Sequence, residues 1–371
     1  MDFSYTEAQQ TVSGLARKLF REHVSPASLT AAETSADFLD RNLWAQLATT
    51  GLLGTGIPAT EGGSGHGMRE LCALLVEAGA AVAPVPLWPT LVLGALPLSA
   101  FGTREQRQRL LPGVAEGRTF LTAALTEDSP HPARTETLAT NHGGWWRLSG
   151  VKTCVPAAHL AARILVPARS SDGDIGVFLV DPRAAGVTHE RQNATTGEPL
   201  LRMTLSSARV DPKDVLAHPG DGDRVLTWLL ERATLGVCAL QLGVAERALR
   251  MTAEYTGTRH QFGRAIATFQ AVSQRAADAA IDVEAMRLTL WKAACALDSG
   301  QPAAKAVAIA KLWASEAGHR VVSTAQHLHG GIGFDTRYPL YRFYLWSKQL
   351  ELTLGSGTVH LARLGALLAE G

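Results

Sequence analysis

The sequence has almost no charge imbalance and few cysteines, and both facts narrow the classes of protein to which it can belong. Lys and Arg number 35 against 34 Asp and Glu, so the net charge of +1 gives no electrostatic reason for a nucleic-acid partner or an anionic membrane. The four cysteines are widely spaced and form no CxxC pair, and no signal-peptide pattern opens the chain. We therefore expect reduced thiols, a cytoplasmic location, and neither nucleic acid nor a membrane as partner.

Long apolar runs and several cofactor motifs are also missing. The most apolar stretch, residues 80–100, contains four prolines and so cannot form one continuous membrane-spanning helix. No GxGxxG, GxxxxGKS/T or HExxH sequence occurs, which leaves a Rossmann, P-loop or zincin fold without support. The histidines in predicted loops, His66, His131 and His142, lack the spacing of metal ligands, so no metal site is expected.

The chain does have the composition of a globular protein and a clear three-part texture. Its 371 residues are 46% hydrophobic and 19% charged, enough for several packed units. Helical periodicity in 1–118 and 219–371 flanks a middle part, 119–218, of short β-rich runs separated by turn residues. This order predicts an α+β protein with an N-terminal helical domain, a middle antiparallel β-barrel or sheet domain, and a C-terminal four-helix bundle.

The individual elements are predicted from the same patterns. In the N-terminal part, helices are predicted from Thr6 towards Pro26 and at 40–50, 68–82 and 104–117, with a glycine-rich turn at 51–67. The predicted strands are 120–125, 145–148, 163–166, 176–180 and 202–210. The predicted core helices are 224–256, 271–297, 303–328 and 339–354.

Two C-terminal stretches carry residues suited to a bound ligand. The first, RHQFGRAIATFQ at 259–270, places an Arg beside a loop Gly, a combination that suits a phosphate group, although it would also serve as a plain helix connector. The second, QHLHGGIGF at 326–334, has adjacent glycines that could meet a flat polar ligand or simply cap a helix.

In chain order, these motifs resemble those of the acyl-CoA dehydrogenase family over essentially the whole chain. The resemblance begins with MDFSYTEAQQ and LWAQLATTGLLGTGIPATEGGSG and continues through APVPLWPTLVLGALPLSAFGTREQRQRLLPGVAEG and ALTED. WWRLSGVKTCVPAAHLAARILVPAR is similar to the family's middle domain, and RHQFGRAIATFQAV and HLHGGIGF are similar to its two C-terminal motifs. The chain most resembles a short actinobacterial-type branch, some members of which form one half of a mixed α2β2 assembly.

The resemblance implies a helical–β–helical fold, bound FAD, and α,β-dehydrogenation of an acyl thioester carried by CoA or an acyl carrier protein. In that reaction a carboxylate removes the α-proton while the β-hydrogen leaves as hydride to the flavin, and hydrogen bonds polarise the thioester carbonyl. The resemblance further implies an electron acceptor such as an electron-transfer flavoprotein. It also implies a homodimer or a heterotetramer, because the family shares FAD across a subunit boundary.

The family's FAD contacts fall on identifiable positions of this chain. By resemblance, Thr126 contacts the flavin ring, and Ser356 matches a hydroxyl residue just after the catalytic position, two residues beyond Leu354. The adjacent Gly330 and Gly331 match the pair that meets the adenine-side phosphates. Contacts to the FAD of a neighbouring subunit fall on Arg259, Phe262 and Gln270.

Other positions depart from the family pattern. The family's Gly-Ser-Asp after the TE motif is replaced by Ser-Pro-His-Pro at 129–132, so a pyrophosphate contact is in doubt. The aromatic residue and Thr that cover the flavin become Cys154 and Pro156, which removes a hydroxyl donor. The Gln of the QxxGG pattern falls on His327, with Gln326 one position early, and a neutral His still donates one hydrogen bond.

The catalytic carboxylate is missing from both positions at which the family places it. The usual position falls on Leu354 in LELTLGSGTV, and the alternative on the first bundle helix falls on Ala233. Glu231 is a candidate substitute, but two residues on a helix rotate by about 200°, so it would require a shifted helix start. Glu351 shares a helix face with Leu354 and is a second candidate. The alternative for both is a surface or interhelical salt bridge, and for Glu351 the resemblance favours that structural role.

Three hypotheses therefore remain open from the sequence. The chain could be a working dehydrogenase with a displaced base. It could be a non-catalytic partner subunit that completes the FAD site or steadies a catalytic chain. It could also be a family member diverted to another flavin reaction on a biosynthetic thioester.

Overall fold

The computed structural model describes residues 5–128 and 135–369, which divide into two units, each made from separate segments of the chain. The helical unit comprises Met1–Leu29, Cys72–Ala83 and Thr234–Gly371. The sheet unit comprises Thr30–Leu71 and Pro84–Ala233. The three-domain division at residues 118 and 218 stays a prediction.

The N-terminal part is helical, as its periodicity predicts. Its helices are α1 (Glu7–His23), α2 (Pro26–Thr34), α3 (Arg41–Thr49), α4 (Met68–Ala80), α5 (Leu96–Phe101) and α6 (Arg104–Ala115), with a π-helical stretch at Trp88–Ala95. Helices α1 and α6 both begin with a capping box, in which Thr6 and Thr103 exchange bonds with the Gln three residues later. The glycine-rich segment between α3 and α4 holds two short 3₁₀ turns. The predicted helices are confirmed within one to three residues, and α2, α5 and the π-helical stretch are additional.

An eight-stranded sheet forms the middle part. Its strands are β1 (Leu121–Ala123), β2 (Leu138–Asn141), β3 (Trp146–Pro156), β4 (Arg163–Arg169), β5 (Ile175–Val180), β6 (Val187–Asn193), β7 (Pro199–Val210) and β8 (Val215–Ala217). The order is β6-β7-β3-β2-β4-β5-β8, with β1 beside β4. The pairings are antiparallel except β1–β4 and β2–β4, which are parallel. Its buried core includes Trp146, Phe178 and Met203.

Long helices return in the C-terminal part. They are α7 (Gly222–Thr258), α8 (Gln270–Asp298), α9 (Ala304–His329), α10 (Leu340–Leu352) and α11 (Gly357–Ala369), with a small hairpin, β9 (His260–Gln261) and β10 (Arg264–Ala265), between α7 and α8. The four predicted core helices are confirmed, and α11 is additional. Helix α7 is long and apolar enough to pass a test for a membrane span, but 78% of its apolar window is buried, as in a core helix.

Two glycines allow α4 and α7 to approach closely within the helical unit. A β-carbon at Gly243 of α7 would lie 1.9 Å from the Val76 carbonyl oxygen, and one at Gly79 of α4 would lie 2.1 Å from the Leu240 carbonyl oxygen. Real β-carbons do not reach such distances, so this helix contact requires glycine at both positions.

Candidate functional site

The expected cofactor positions of the sheet unit lie around the end of β3. Thr126 forms an isolated antiparallel bridge with Thr153, whose N–H donates to the Thr126 carbonyl oxygen at 2.9 Å. Cys154 follows directly and is exposed, whereas Pro156, the last residue of β3, is buried. The structure therefore brings Thr126 and the Cys154 segment together. The Ser-Pro-His-Pro stretch at 129–132 lies outside the described residues.

Backbone strain is concentrated at the expected cofactor positions. Among the described residues, seven other than glycine have a positive φ: Phe38, Val82, Cys154, Ala157, Ser207, Phe262 and Leu354. Three of these are expected cofactor or base positions, and Ala157 directly follows Pro156. Each such residue costs on the order of 1–3 kcal/mol and persists only where its surroundings enforce it. At Cys154, part of that enforcement is the bond from its N–H to the Gln192 side-chain oxygen, at 2.8 Å.

In the helical unit, the first C-terminal motif forms an exposed hairpin. Phe262 (φ 52°) and Gly263 (φ 80°) make the two-residue turn between β9 and β10, in which both residues require a positive φ. Phe262 is 91% exposed, and Arg259 and Gln270 are exposed as well. An aromatic residue held outward in a strained turn fits a contact with something outside its own unit.

The second motif is an open turn at the end of α9. Gly330 has φ 62°, and a β-carbon at either Gly330 or Gly331 would have no neighbour within 4 Å, so the backbone there is accessible. His327 is exposed at the position of the family's Gln. Gln326 is instead buried, and its side-chain oxygen has no hydrogen-bond partner among the described residues. His327, rather than Gln326, is thus available to a ligand.

His329, a buried histidine that the sequence did not single out, links the second motif through Tyr255 to Arg259 of the first motif. His329 donates from Nδ1 to the Ala325 carbonyl oxygen at 2.8 Å and accepts at Nε2 from the Tyr338 hydroxyl at 3.1 Å. Burial lowers the pKa of His329, which favours the neutral ring that this pattern requires. Its ring stacks on Tyr255 at 4.5 Å, and the Tyr255 carbonyl oxygen accepts the Arg259 N–H at 2.8 Å. The only sequence signal for these contacts of His329 was its place directly before Gly330 in the second motif.

The segment at the usual base position is ordered but holds no carboxylate. Leu354 lies between α10 and α11 with φ 57°, and its carbonyl oxygen accepts a bond from His360 Nε2 at 3.0 Å. Burial lowers the pKa of His360 to about 4, so the ring is neutral at pH 7. Ser356 is half-buried, and its carbonyl oxygen accepts the His360 N–H at 3.2 Å. His360 thus fixes the backbone on both sides of Gly355.

Glu351 is held in an ion pair. Its carboxylate accepts a bond from Lys348 Nζ at 2.7 Å, and His319 Nδ1 lies 3.7 Å away. Its backbone carbonyl oxygen accepts Lys311 Nζ at 3.1 Å and Ser315 Oγ at 3.2 Å. These contacts are those of a structural ion pair at the end of α10, and a role of Glu351 as base stays a prediction.

The alternative base position, Ala233, is fully buried. Ala233 has no exposed surface, and its carbonyl oxygen accepts the Trp88 indole N–H at 3.0 Å. Glu231 is half-buried two residues earlier on α7. Its neighbour Arg232 lies over the Trp228 ring at 3.7 Å. Neither base position therefore offers a proton acceptor on a side chain.

Comparisons with known proteins give a consistent result. The model of the acyl-CoA dehydrogenase N-terminal domain matches residues 6–118, and that of the acyl-CoA dehydrogenase C-terminal domain matches residues 220–368. Acyl-CoA dehydrogenase FadE27 of Mycobacterium tuberculosis is 39% identical over 100% of this chain and 99% of its own length.

Two solved structures are similar along the whole chain. A Tcur3481-Tcur3483 steroid ACAD variant is 45% identical with a TM-score of 0.92, over 98% of both chains. The ChsE4-ChsE5 complex from Mycobacterium tuberculosis is 39% identical with a TM-score of 0.94, over 100% of both chains. Both structures are named for a pair of proteins.

Proposed function

Because the chain belongs to the acyl-CoA dehydrogenase family, we propose that it is the subunit of a mixed acyl-CoA dehydrogenase that helps to hold FAD, while a different partner chain supplies the base. The observation that carries this proposal is the absence of a carboxylate at both positions that match the family's base, Leu354 and Ala233. The relatives named as pairs of proteins support a heteromer.

The family-level predictions are confirmed. The fold is that of the acyl-CoA dehydrogenases, with N-terminal helices, a mixed central sheet and a C-terminal helical bundle. The chain is a member of a family of flavin-dependent oxidoreductases whose cofactor is FAD. A cytoplasmic location and the assignment of individual site residues stay predictions.

The residues of this chain fit FAD. In the helical unit, the open backbone at Gly330 and Gly331 suits phosphates, and Arg259 is exposed beside the Phe262 turn to pair with an anion. In the sheet unit, Thr126 lies beside Thr153 and the strained, exposed Cys154, a place that suits contact with the flavin ring. Secondary contacts fall on Gln270, His327, Pro156 and Ser356. When bound, FAD would accept the hydride; this chain's residues bind and orient it.

Glu351 and Glu231 are poor substitutes for the missing base. The Glu351 carboxylate already accepts a bond from the Lys348 ammonium at 2.7 Å, so it is engaged in an ion pair within its own helix. Glu231 lies on the same helix as Ala233, but two residues along a helix point about 200° apart. The runner-up proposal, a self-sufficient dehydrogenase, depends on Glu231 alone.

Exposed apolar side chains support burial of this chain against another subunit. Ile281 and Leu288, seven residues apart on α8, are 67% and 46% exposed. Leu361 and Leu368, seven residues apart on α11, are 54% and 61% exposed. Apolar side chains that recur on one helix face are typical of a subunit contact. We further propose a bulky, steroid-like acyl-CoA as substrate, by analogy with the steroid ACAD relative. The proposed acceptor is an electron-transfer flavoprotein, by analogy with a 27% identical solved structure named for the electron-transferring flavoprotein of Acidaminococcus fermentans.

The proposal is tested by anaerobic titration of the FAD-loaded chain, purified alone, with an acyl-CoA such as a steroid-side-chain thioester. We expect a flavin spectrum that acyl-CoA does not bleach. Leu354→Glu, which restores a carboxylate at the family position, should introduce bleaching. Bleaching of the wild-type chain alone would overturn the proposal, and its loss in Glu231→Gln would establish the self-sufficient alternative. A chain that binds no flavin would also refute it.

A further inference from the structure

A buried ion pair lies beside the residues expected to meet the flavin ring. The side chains of Lys152 and Glu127 are 1% and 6% exposed, and Lys152 Nζ donates to Glu127 Oε1. Lys152 Nζ also donates to the Thr135 hydroxyl at 2.9 Å. Burial lowers the pKa of Lys152 to about 8. Burial tends to raise the pKa of Glu127, but the Lys152 charge and hydrogen bonds bring it to about 2. Both groups are therefore charged at pH 7.

The Glu127 carboxylate gathers donors from a third segment of the chain. Its Oε1 accepts from the Thr137 hydroxyl at 2.8 Å and the Thr137 N–H at 3.2 Å. Its Oε2 accepts from the Glu136 N–H at 2.6 Å. The Thr135 hydroxyl has one proton, which it can donate to Glu127 Oε1 or to the Pro167 carbonyl oxygen. This set of bonds leaves the buried carboxylate well satisfied.

The pair connects three chain segments whose relative position matters for the site. Glu127 directly follows Thr126, and Lys152 directly precedes Thr153, which is bridged to Thr126. Cys154 comes next, in its strained left-handed conformation. The ion pair and the Thr126–Thr153 bridge are therefore two adjacent links between β3 and the segment that follows β1. Their joint effect is to fix the register in which Thr126 and Cys154 lie side by side.

Stability alone does not account for this arrangement. Two buried charges lose their hydration, and well-packed apolar residues of similar volume often stabilise a protein as much or more. A buried pair does, however, accept only one geometry, since any shift leaves a charge unpaired. Such a pair suits a place where position matters more than net stability.

We propose that Glu127 and Lys152 are positioning residues of the flavin site, which hold Thr126 and Cys154 in place for contact with the flavin ring. The proposal rests on the proposed function for the identity of the ligand. The placement of Cys154 can be measured without any ligand. Neither residue touches the reacting atoms; they act through the backbone of their neighbours.

The thiol of Cys154 provides the readout in the cofactor-free chain. Cys154 is exposed, Cys72 and Cys238 are buried, and Cys295 is only partly exposed, so mass spectrometry after brief alkylation can follow each thiol separately. In Lys152→Met we expect the alkylation rate of Cys154 to change at least threefold, with Cys295 unchanged. The matched control is Arg109→Met, which breaks a different ion pair of the sheet unit, Arg109–Asp214, and should leave Cys154 unchanged.

A milder variant covers the case in which Lys152→Met does not fold. Glu127→Gln keeps the shape of the side chain and one acceptor oxygen but loses the charge. The backbone amides of Glu136 and Thr137 donate to Glu127, so in this variant they should exchange with deuterium at least tenfold faster. In FAD titrations, both variants should raise the dissociation constant at least tenfold, whereas Arg109→Met stays within twofold.

The outcomes separate the two proposals. Unchanged Cys154 alkylation and unchanged amide exchange in the variants would refute the positioning role, whether or not FAD binds. Altered alkylation with unchanged FAD affinity would also refute it, because the position would not matter for the cofactor. Failure of the wild-type chain to bind FAD would instead count against the proposed function, while the thiol and exchange data would still decide whether the pair fixes Cys154.

Discussion

A fully buried lysine caps the helix that leads to Leu354, and its protonation provides a sharp test of the structure. Lys311 of α9 has no exposed surface, and its Nζ donates to the carbonyl oxygens of Leu350 and Glu351 at 2.7 and 3.1 Å. These carbonyls belong to the last turn of α10, where helix geometry provides no donor and the helix dipole is negative. Burial lowers the pKa of Lys311 from 10.5 to about 8, although the nearby Cys238 and Glu351 oppose that shift.

The direction of the pH effect follows from this lowered pKa. Between pH 8 and 10.5 the unfolded chain keeps a proton on Lys311 that the folded chain has released, so stability rises with pH in this window. The shift from 10.5 to about 8 is about 2.5 units, and each unit corresponds to about 1.36 kcal/mol. The full effect is therefore about 3 kcal/mol of stability gained as the pH rises.

The assay compares wild type with Lys311→Met by urea unfolding at pH 7, 8, 9 and 10. The methionine cannot titrate, so we expect the difference in unfolding free energy to shift by about 2–3 kcal/mol in favour of the wild type between pH 7 and 10. Burial raises the pKa of Cys238 to about 12, which lowers stability above pH 9, but Cys238 is present in both proteins and largely cancels. The exposed Lys292 of α8 provides the control, because Lys292→Met should show no such shift.

One result would refute this reasoning. If the stability difference between wild type and Lys311→Met stays constant with pH, or moves in favour of the variant, burial does not penalise the Lys311 ammonium. The carbonyls of α10 would then stabilise its charge fully. The structural claim that α9 caps α10 through a desolvated cation would have to be withdrawn.

Other predictions concern packing and the exposed motif. Gly243→Ala should destabilise the protein by about 2 kcal/mol or more in urea unfolding, because its β-carbon would lie 1.9 Å from the Val76 carbonyl oxygen. Gly257→Ala on the same helix has free space and should stabilise it by about 0.5–1 kcal/mol, so equal effects of the two changes would contradict the close helix contact. Phe262→Ala should leave the melting temperature within about 2 °C, because the side chain is 91% exposed, yet weaken FAD binding at least tenfold; unchanged affinity would remove Phe262 from the site.

Much of the fold could be predicted from the sequence, because amphipathic helices carry their own signal. The long segments around α7, α8 and α9 repeat apolar residues at helical spacing, and their observed bounds lie within two residues of the expected ones. Strands β2, β6 and β8 were missed for a physical reason. β6 reads Val-Thr-His-Glu-Arg-Gln-Asn and is mostly exposed, so it has no apolar face to recognise. Its place is set by pairing with β7 rather than by its own composition.

The candidate site could be predicted only at residues that belong to a recognisable motif. The absence of a carboxylate at the family's usual base position follows directly from the sequence, because residue 354 is a leucine. The roles of Lys152, Lys311 and His329 do not, because a lysine in a strand or helix ordinarily indicates a solvated face, and only the tertiary structure shows that all three are buried. Folding brings a partner to each of them: the Glu127 carboxylate to Lys152, the carbonyl oxygens of α10 to Lys311, and the Tyr338 hydroxyl to His329.

The family usually combines two functions in the segment that matches Leu354: proton transfer by a side chain and support of the site by the backbone. In this chain the two functions are separate. The carboxylate that moves a proton has been lost, yet Leu354 still has the costly positive φ of 57° and its carbonyl oxygen is still held by His360. Helix α10 before it is still capped by Lys311. Gly or Asn at position 354 would relieve such strain, so the strained leucine fits a segment whose conformation is enforced by its surroundings. A strained backbone beside Ser356 that is held in place without a carboxylate is what the proposed division of roles between two chains predicts.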